Sequence, residues 1–301
     1  MNVIVTGANG FIGTNIIRKL FDNGFHVIPI VQDESMDVSG IAGFCERIIF
    51  CDIRHIDTLH DQLFGQKGQT IFLNLAWRGV NGEDKGVYSY QLENIEMLCN
   101  AALFAKSIGC SKFVSAGTIA EYSVMSLDSM SVAGKGLFYG VAKYSGHLFL
   151  ETLCKNIGLP FVWAQFSNIY GPKNKTGNLI SYTLTQLSKG LPAEFGPADQ
   201  PYDFIFLDDL IEALYRVLTF ETTSDFFCLS SGQPRLLKDY LFYIGKRLGK
   251  ESLINIGKKP SDGVRYSFSM FDNRTLIQEI GNYVSTPFEE GIEKTIKGDT
   301  Q

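Results

Sequence analysis

Asn2-Val3-Ile4-Val5-Thr6-Gly7-Ala8-Asn9-Gly10-Phe11-Ile12-Gly13 opens the chain, after Met1, and its reading decides the fold. The β-branched run from Asn2 to Thr6 reads as a strand buried on both faces. Thr14 to Phe21 places Ile16, Ile17 and Leu20 at helical spacing. Strand, Gly-rich turn and helix in that order are what a dinucleotide pyrophosphate requires. Gly7 permits the tight turn, Gly10 lets the backbone approach the phosphates, and Gly13 lets the helix pack close to the sheet. Asn9, Phe11 and Ile12 complete the same turn. The phosphates would rest on the helix N-terminus, where free N–H groups and the dipole favour negative charge. A Gly-rich turn that binds nothing is the competing reading.

Working outward, His26 to Val31 reads as the second strand. An acid that would hold the ribose hydroxyls is expected at its end, but Val31 and Gln32 stand there, and Asp33 comes two residues late. The absent carboxylate removes repulsion against a 2′-phosphate, which favours NADP over NAD. Arg47 to Cys51 reads as a third strand. Asp52 and Ile53 follow, and Asp52 serves equally as an adenine contact or as a helix cap. Thr70 to Leu75 is a fourth strand entering Ala76-Trp77-Arg78-Gly79, then a loop to Gly86 and a helix from Val87 to Ile108 that carries Asn94. Lys112 to Ser115 is a fifth strand ending in Ala116-Gly117-Thr118. The Thr118 hydroxyl reads either as a group pointing into the crevice or as a turn cap. Ser123 to Gly136 reads as a loop. The next helix, running to about Asn156, holds Tyr139 and Lys143 one turn apart on one face. Such a pair arises by chance roughly once in a chain of this composition. Its weight comes from its neighbours: an ammonium beside a phenol favours the phenolate and makes the Tyr a proton carrier. Phe161 to Gln165 is a sixth strand.

The whole chain has 301 residues, 45% hydrophobic and 20% charged, with a net charge of −5. This composition fits a soluble α/β protein and argues against a broad nucleic-acid or anionic-membrane surface. The six cysteines form no Cys-x-x-Cys pair and no cluster with His, so they read as free thiols of a reducing compartment, with no metal site. No signal peptide is evident and no apolar run is long enough to span a membrane, so a cytoplasmic protein is expected.

Four further stretches complete the pattern. TGANGFIG, the strand-end Thr118, YGVAK at 139–143, Asn168-Ile169-Tyr170-Gly171-Pro172, and Tyr202-Asp203-Phe204-Ile205-Phe206-Leu207-Asp208-Asp209 occur in order along the chain. Together they resemble the extended short-chain dehydrogenase/reductase family, which comprises NAD-dependent nucleotide-sugar epimerases, dehydratases and ketoreductases. The resemblance implies a Rossmann fold: a doubly wound parallel sheet with a smaller mixed α/β substrate domain. The dinucleotide-binding domain would span 1–165, with 203–219 returning to it, and the substrate domain 166–301. Thr118, Tyr139 and Lys143 match the family's catalytic set. Cofactor contacts would extend to Gln32, Asp52, Ile53, Leu75, Ala76, Trp77, Asn94 and Phe166. Substrate contacts would come from Arg78, Thr118, Asn168, Tyr202 and Arg265. Gln165 and Tyr202 replace two Arg that the family uses, so Arg265 would hold a diphosphate with Lys173, Lys175 or Arg78. An ion-paired, solvated Arg265 is the alternative. The family's dehydratases place an Asp-Glu pair directly after the Thr, whereas here Ile119-Ala120 intervene before Glu121. That argues against 4,6-dehydration, although Glu121 keeps it open, and the missing acid at Val31 tilts the expectation to reduction of a nucleotide-activated 4-keto-6-deoxyhexose. The alternatives are an NAD-dependent 4-epimerase and a non-catalytic cofactor sensor. The family often dimerises through the helices matching 87–108 and 139–156, so a homodimer is expected.

Overall fold

The computed structural model describes all residues but 66, 131–133, 135, 175, 176, 300 and 301, with only the backbone of Asp299. The first half alternates strand and helix: β1 (Asn2–Thr6), α1 (Phe11–Asp22), β2 (His26–Val31), β3 (Ile49–Phe50), a single-turn α2 (His60–Leu63), β4 (Thr70–Asn74), α3 (Tyr88–Ser107), β5 (Lys112–Thr118), α4 (Leu137–Ile157) and β6 (Phe161–Phe166). The second half is more broken: β7 (Asn168–Tyr170), α5 (Leu179–Ser188), β8 (Ala193–Glu194), β9 (Pro201–Tyr202), β10 (Phe204–Phe206), α6 (Leu207–Thr219), β11 (Phe226–Leu229), β12 (Arg235–Leu236), α7 (Leu237–Arg247), β13 (Ile254–Asn255), α8 (Arg274–Ile280) and α9 (Phe288–Asp299).

Seven strands pair in parallel in the order β11-β6-β5-β4-β1-β2-β3. This is the expected doubly wound Rossmann sheet. Successive residues of β1 alternate between its two faces, as strand geometry dictates. Val3 and Val5 join Ile16, Ile17 and Leu20 of α1 and Leu210, Leu214 and Val217 of α6 in one core. Ile4 joins Phe72, Phe113 and Trp163 against Leu98 and Ala102 of α3 and Leu150 of α4 in the other. A third core, built on Tyr170, Phe204, Phe206, Tyr240 and Phe288, fills the C-terminal lobe.

Three details depart from the sequence reading. Phe204–Phe206 pairs with β7 in a two-stranded ribbon and not with a strand of the main sheet, although its Ile205 and the helix after it, α6, pack into the first core. The seventh strand is instead β11, which the broken apolar pattern after Gln165 concealed. Residues Ile119–Ser129 form a run of 3-10 turns that takes up the first part of the loop expected at 123–136. That expected loop includes 131–133 and 135, which lie outside the described residues. Among the described residues no helix is long and apolar enough to cross a membrane.

Two acids of the 202–209 segment hold the C-terminal chain in place. Asp203 is fully buried and accepts from the Ser167 hydroxyl and from the Ser231 amide and hydroxyl. Asp209, on α6, accepts from the Ser285 amide and hydroxyl and from the Thr286 amide. Replacing Asp209 by Ala leaves those amides without acceptors. We predict a loss of about 2–4 kcal/mol of stability, read as a lowered urea midpoint.

Candidate active site

The parallel strands end at one edge, and the second lobe faces that edge across a cleft of about 930 Å³. Ligands in such sheets bind outside the carboxyl ends of the strands. The Gly-rich turn lies at the floor of one end. Gly7 has φ +64, and a Cβ there would come within 2.9 Å of the Ala76 amide nitrogen. A Cβ on Gly13 would lie 2.3 Å from the Gly7 carbonyl oxygen and 2.5 Å from that of Ala8. No side chain caps α1, whose N-cap is Gly10, and Gly10 to Gly13 face the cleft. A helix start that is uncapped and flanked by glycine backbone fits a dinucleotide pyrophosphate.

The centre of the cleft gathers Thr118, Tyr139 and Lys143. Thr118 ends β5, and Tyr139 and Lys143 rise from the first turns of α4. Burial holds the Tyr139 phenol above its ordinary range, against a smaller lowering influence from the nearby Thr118 hydroxyl. Thr118 also acts as a cap: its Oγ1 accepts from the Ala120 amide at 3.3 Å. Thr118 thus caps the turn after β5 and also lines the cleft. Lys143 is 4% exposed, and its ammonium donates to the Ala116 carbonyl at 2.7 Å. It lies 3.7 Å from the ring centre of Trp77 and 5.9 Å from that of Trp163. Burial pushes its pKa down to about 7, and the nearby Glu121 carboxylate works against that fall. Trp77 meets the Tyr139 ring edge-on at 6.5 Å and is fixed by its own Nε1 donating to Gln91 at 2.9 Å.

The cleft wall includes most of the residues expected from sequence: Gly7, Asn9, Gly10, Phe11, Ile12, Gly13, Leu75, Ala76, Trp77, Thr118, Tyr139, Lys143, Phe166, Asn168, Tyr202 and Arg265. Five lie outside it. Asp52 is a helix cap: it accepts from the Arg54 amide and pairs with the Arg54 guanidinium at 2.6 Å, which holds its carboxyl below the ordinary range. Ile53 packs against the core behind it. Asn94 is 1% exposed and clamps the loop backbone, accepting from the Arg78 amide and donating to the Arg78 carbonyl, each at 2.8 Å. The Arg78 side chain stacks on Tyr90 at 3.4 Å and pairs with Glu93. Gln32 stands exposed beyond β2, next to Asp33, whose carboxylate accepts from the Ser35 amide in a local turn.

At the other end of the cleft, Arg265 pairs with Asp199 at 3.3 Å, both exposed. Lys175 lies outside the described residues. Two cations that the sequence reading did not single out also line the cleft. Lys259 lies 4.8 Å over the Tyr182 ring, and Lys85 lies 5.1 Å over the Tyr139 ring. Burial lowers the pKa of Lys85. Neither residue belongs to a recognisable motif, so only the folded chain brings them to the site. Gln165 is 2% exposed and donates to Glu121 at 3.1 Å. It is not part of the cleft wall.

The cleft combines a Gly-rich turn at an uncapped helix start with a phenol, a strand-end hydroxyl and a buried ammonium. Such a set fits a dinucleotide-dependent enzyme. The chain belongs to the NAD dependent epimerase/dehydratase family, whose model matches residues 3–226. It is 22% identical to the dTDP-4-dehydro-6-deoxyglucose reductase of Escherichia coli, over 98% of this chain and 96% of that protein. Identity to a putative UDP-glucose 4-epimerase of Methanocaldococcus jannaschii is also 22%, covering 98% and 97%. The fold superposes on that of Thermus thermophilus UDP-glucose 4-epimerase in complex with NAD, with a TM-score of 0.80, 20% identity, and 100% and 99% of the two chains covered.

A Gly13→Ala substitution fills the space where α1 meets the turn. We expect dinucleotide affinity to fall at least about tenfold, in a fluorescence titration with NADPH and NADH, while circular dichroism stays unchanged.

Proposed function

We propose that the protein reduces the keto group of a nucleotide-activated 4-keto-6-deoxyhexose, with NADPH or NADH as reductant and Tyr139 as proton donor. The observation that carries this reading is the convergence of Thr118 from the end of β5 with Tyr139 and Lys143, one turn apart on α4, on the wall of one cleft. When bound, the nicotinamide supplies the hydride. Thr118 orients the substrate oxygen, Tyr139 passes its proton to that oxygen, and the Lys143 charge stabilises the phenolate left behind. Gly7, Gly10 and Gly13 hold the pyrophosphate on the first turn of α1. Val31 stands at the strand end where an acid would hold the ribose hydroxyls, and the acid missing there supports NADP over NAD. Arg265, released from Asp199, and Lys259 are the cations we assign to the substrate diphosphate.

Glu121 bears on the choice of reaction. It is 2% exposed and directed behind Thr118 toward Trp163 and Gln165, outside the cleft wall. A carboxyl group in that position cannot reach a sugar carbon, which speaks against 4,6-dehydration. A 4-epimerase with retained NAD is the second reading, supported by the equal identity to reductase and epimerase relatives.

Incubation with NADPH and a 4-keto-6-deoxy nucleotide sugar should consume NADPH, and Tyr139→Phe should lower kcat by about 10²–10⁴. Full activity in Tyr139→Phe rejects the mechanism. Stoichiometric NAD released on denaturation, with no net NADPH oxidation, selects the epimerase.

We further propose that a second copy of the chain covers the outer face of α3 and α4. Tyr88 and Leu92 on α3 and Leu148 and Phe149 on α4 are exposed apolar side chains on these adjacent helices. Phe149→Glu should convert a dimer to a monomer in sedimentation analysis. A native monomer would remove the proposal.

A further inference from the structure

Glu121 costs the fold something that a simple cap does not. Its carboxylate is buried, and it accepts from the Thr118 amide at 2.6 Å, from Trp163 Nε1 at 3.1 Å and from Gln165 Nε2 at 3.1 Å. N–H donors of this kind favour the charged form, while burial opposes it. The net effect is an upward shift in which burial is the largest cause. Gly117 makes the approach possible: a Cβ there would lie 2.2 Å from Trp163 Nε1 and 2.8 Å from Glu121 Oε1.

The charge that answers this carboxylate is Lys143. Each is an electrostatic neighbour of the other, yet the described hydrogen bonds and ion pairs join them to other groups. Lys143 donates instead to the Ala116 carbonyl and rests on the Trp77 face. A carboxylate in direct contact would occupy the donors of the ammonium and pin it to the wall. Held out of direct contact, the carboxylate favours the charged ammonium against its burial and leaves its remaining donors to the cleft.

We propose that Glu121 is a positioning residue for this site: its carboxylate fixes the end of β5 at Thr118 and balances the Lys143 ammonium from behind the cleft wall. The inference rests on the reading that Lys143 acts as a cation beside Tyr139. Other titratable groups nearby are Tyr139 and His147 on the same helix, Lys85 from the segment Gly82–Gly86, and Tyr122 and Cys228 beside Glu121. His147 stacks on Trp163 at 4.8 Å, so its own titration must be separated from that of Lys143.

The chain contains only two tryptophans, and both flank Lys143. Tryptophan emission of the ligand-free protein therefore reports the charge of this lysine. We expect an emission step between roughly pH 5 and pH 10 that Lys143→Met abolishes. Removing a nearby negative charge lowers the pKa of an ammonium, so Glu121→Gln should move the midpoint to lower pH by about one unit or more. The Gln165 Oε1, which has no partner in the native array, can accept from the new amide, so the substitution leaves the packing intact. Should Glu121→Gln fail to fold, Gln165→Leu removes one carboxylate donor and should move the midpoint in the same direction by less. An unmoved midpoint in the folded variant, or no Lys143-dependent step at all, overturns the proposal. Full activity in Tyr139→Phe would defeat the catalytic reading and leave this titration unchanged.

Discussion

The approach of Gly13 to the carbonyls of Gly7 and Ala8 sets where α1 begins, and with it the floor of the cleft. Any side chain at that position would push the helix away from β1. The first turn would then no longer face the edge where the parallel strands end. Because all seven strands run the same way, their carboxyl ends collect at that edge, and β5 delivers Thr118 to it. The register of β5 with β6 places Thr118 opposite Phe166 and Gly117 opposite Gln165. The Gly-rich end and the Thr118 end of the cleft are thus fixed by one sheet.

Behind the wall lies a polar array inside an otherwise apolar layer. Trp163 is the hub: its indole N–H donates to Glu121, its face meets His147, and its ring lies within reach of the Lys143 ammonium. Buried polar groups of this kind are stable only when satisfied. Here almost every donor and acceptor finds a partner, and the Gln165 Oε1 is an exception. Cation–π contact with Trp77 replaces part of the hydration that Lys143 gives up.

The fold was largely legible from local signals. The β-branched runs, the Gly-rich turn and the helical spacing of Ile16, Ile17 and Leu20 are written within single elements. So are the Tyr139-to-Lys143 spacing and the strand-end Thr118. What sequence left hidden depends on contacts between distant segments. Asp52 reads equally as ligand or cap until Arg54 is seen folded against it. Asn94 reads as a cofactor contact, but it spends both amide atoms on the Arg78 backbone. Glu121 follows Thr118 at capping-box spacing, a visible signal; its pairing with Trp163 and Gln165 needs β6 in place. β11 escaped because a four-residue strand at a sheet edge, between irregular segments, carries too few residues for a period to show.

That edge strand has a consequence for how the chain assembles as it is made. β6 pairs with β5 on one side, but its other side stays open until residues 226–229 arrive. In between, the ribosome must deliver α5, the ribbon of β7 and β10, and α6. Throughout that interval a strand carrying Phe161, Val162 and Trp163 shows an unpaired row of backbone groups, a template for pairing with another nascent chain. Closure of the sheet by β11 is therefore a late event. Changes at Phe226 to Leu229 should show first as poor yield on expression and only afterwards as altered chemistry.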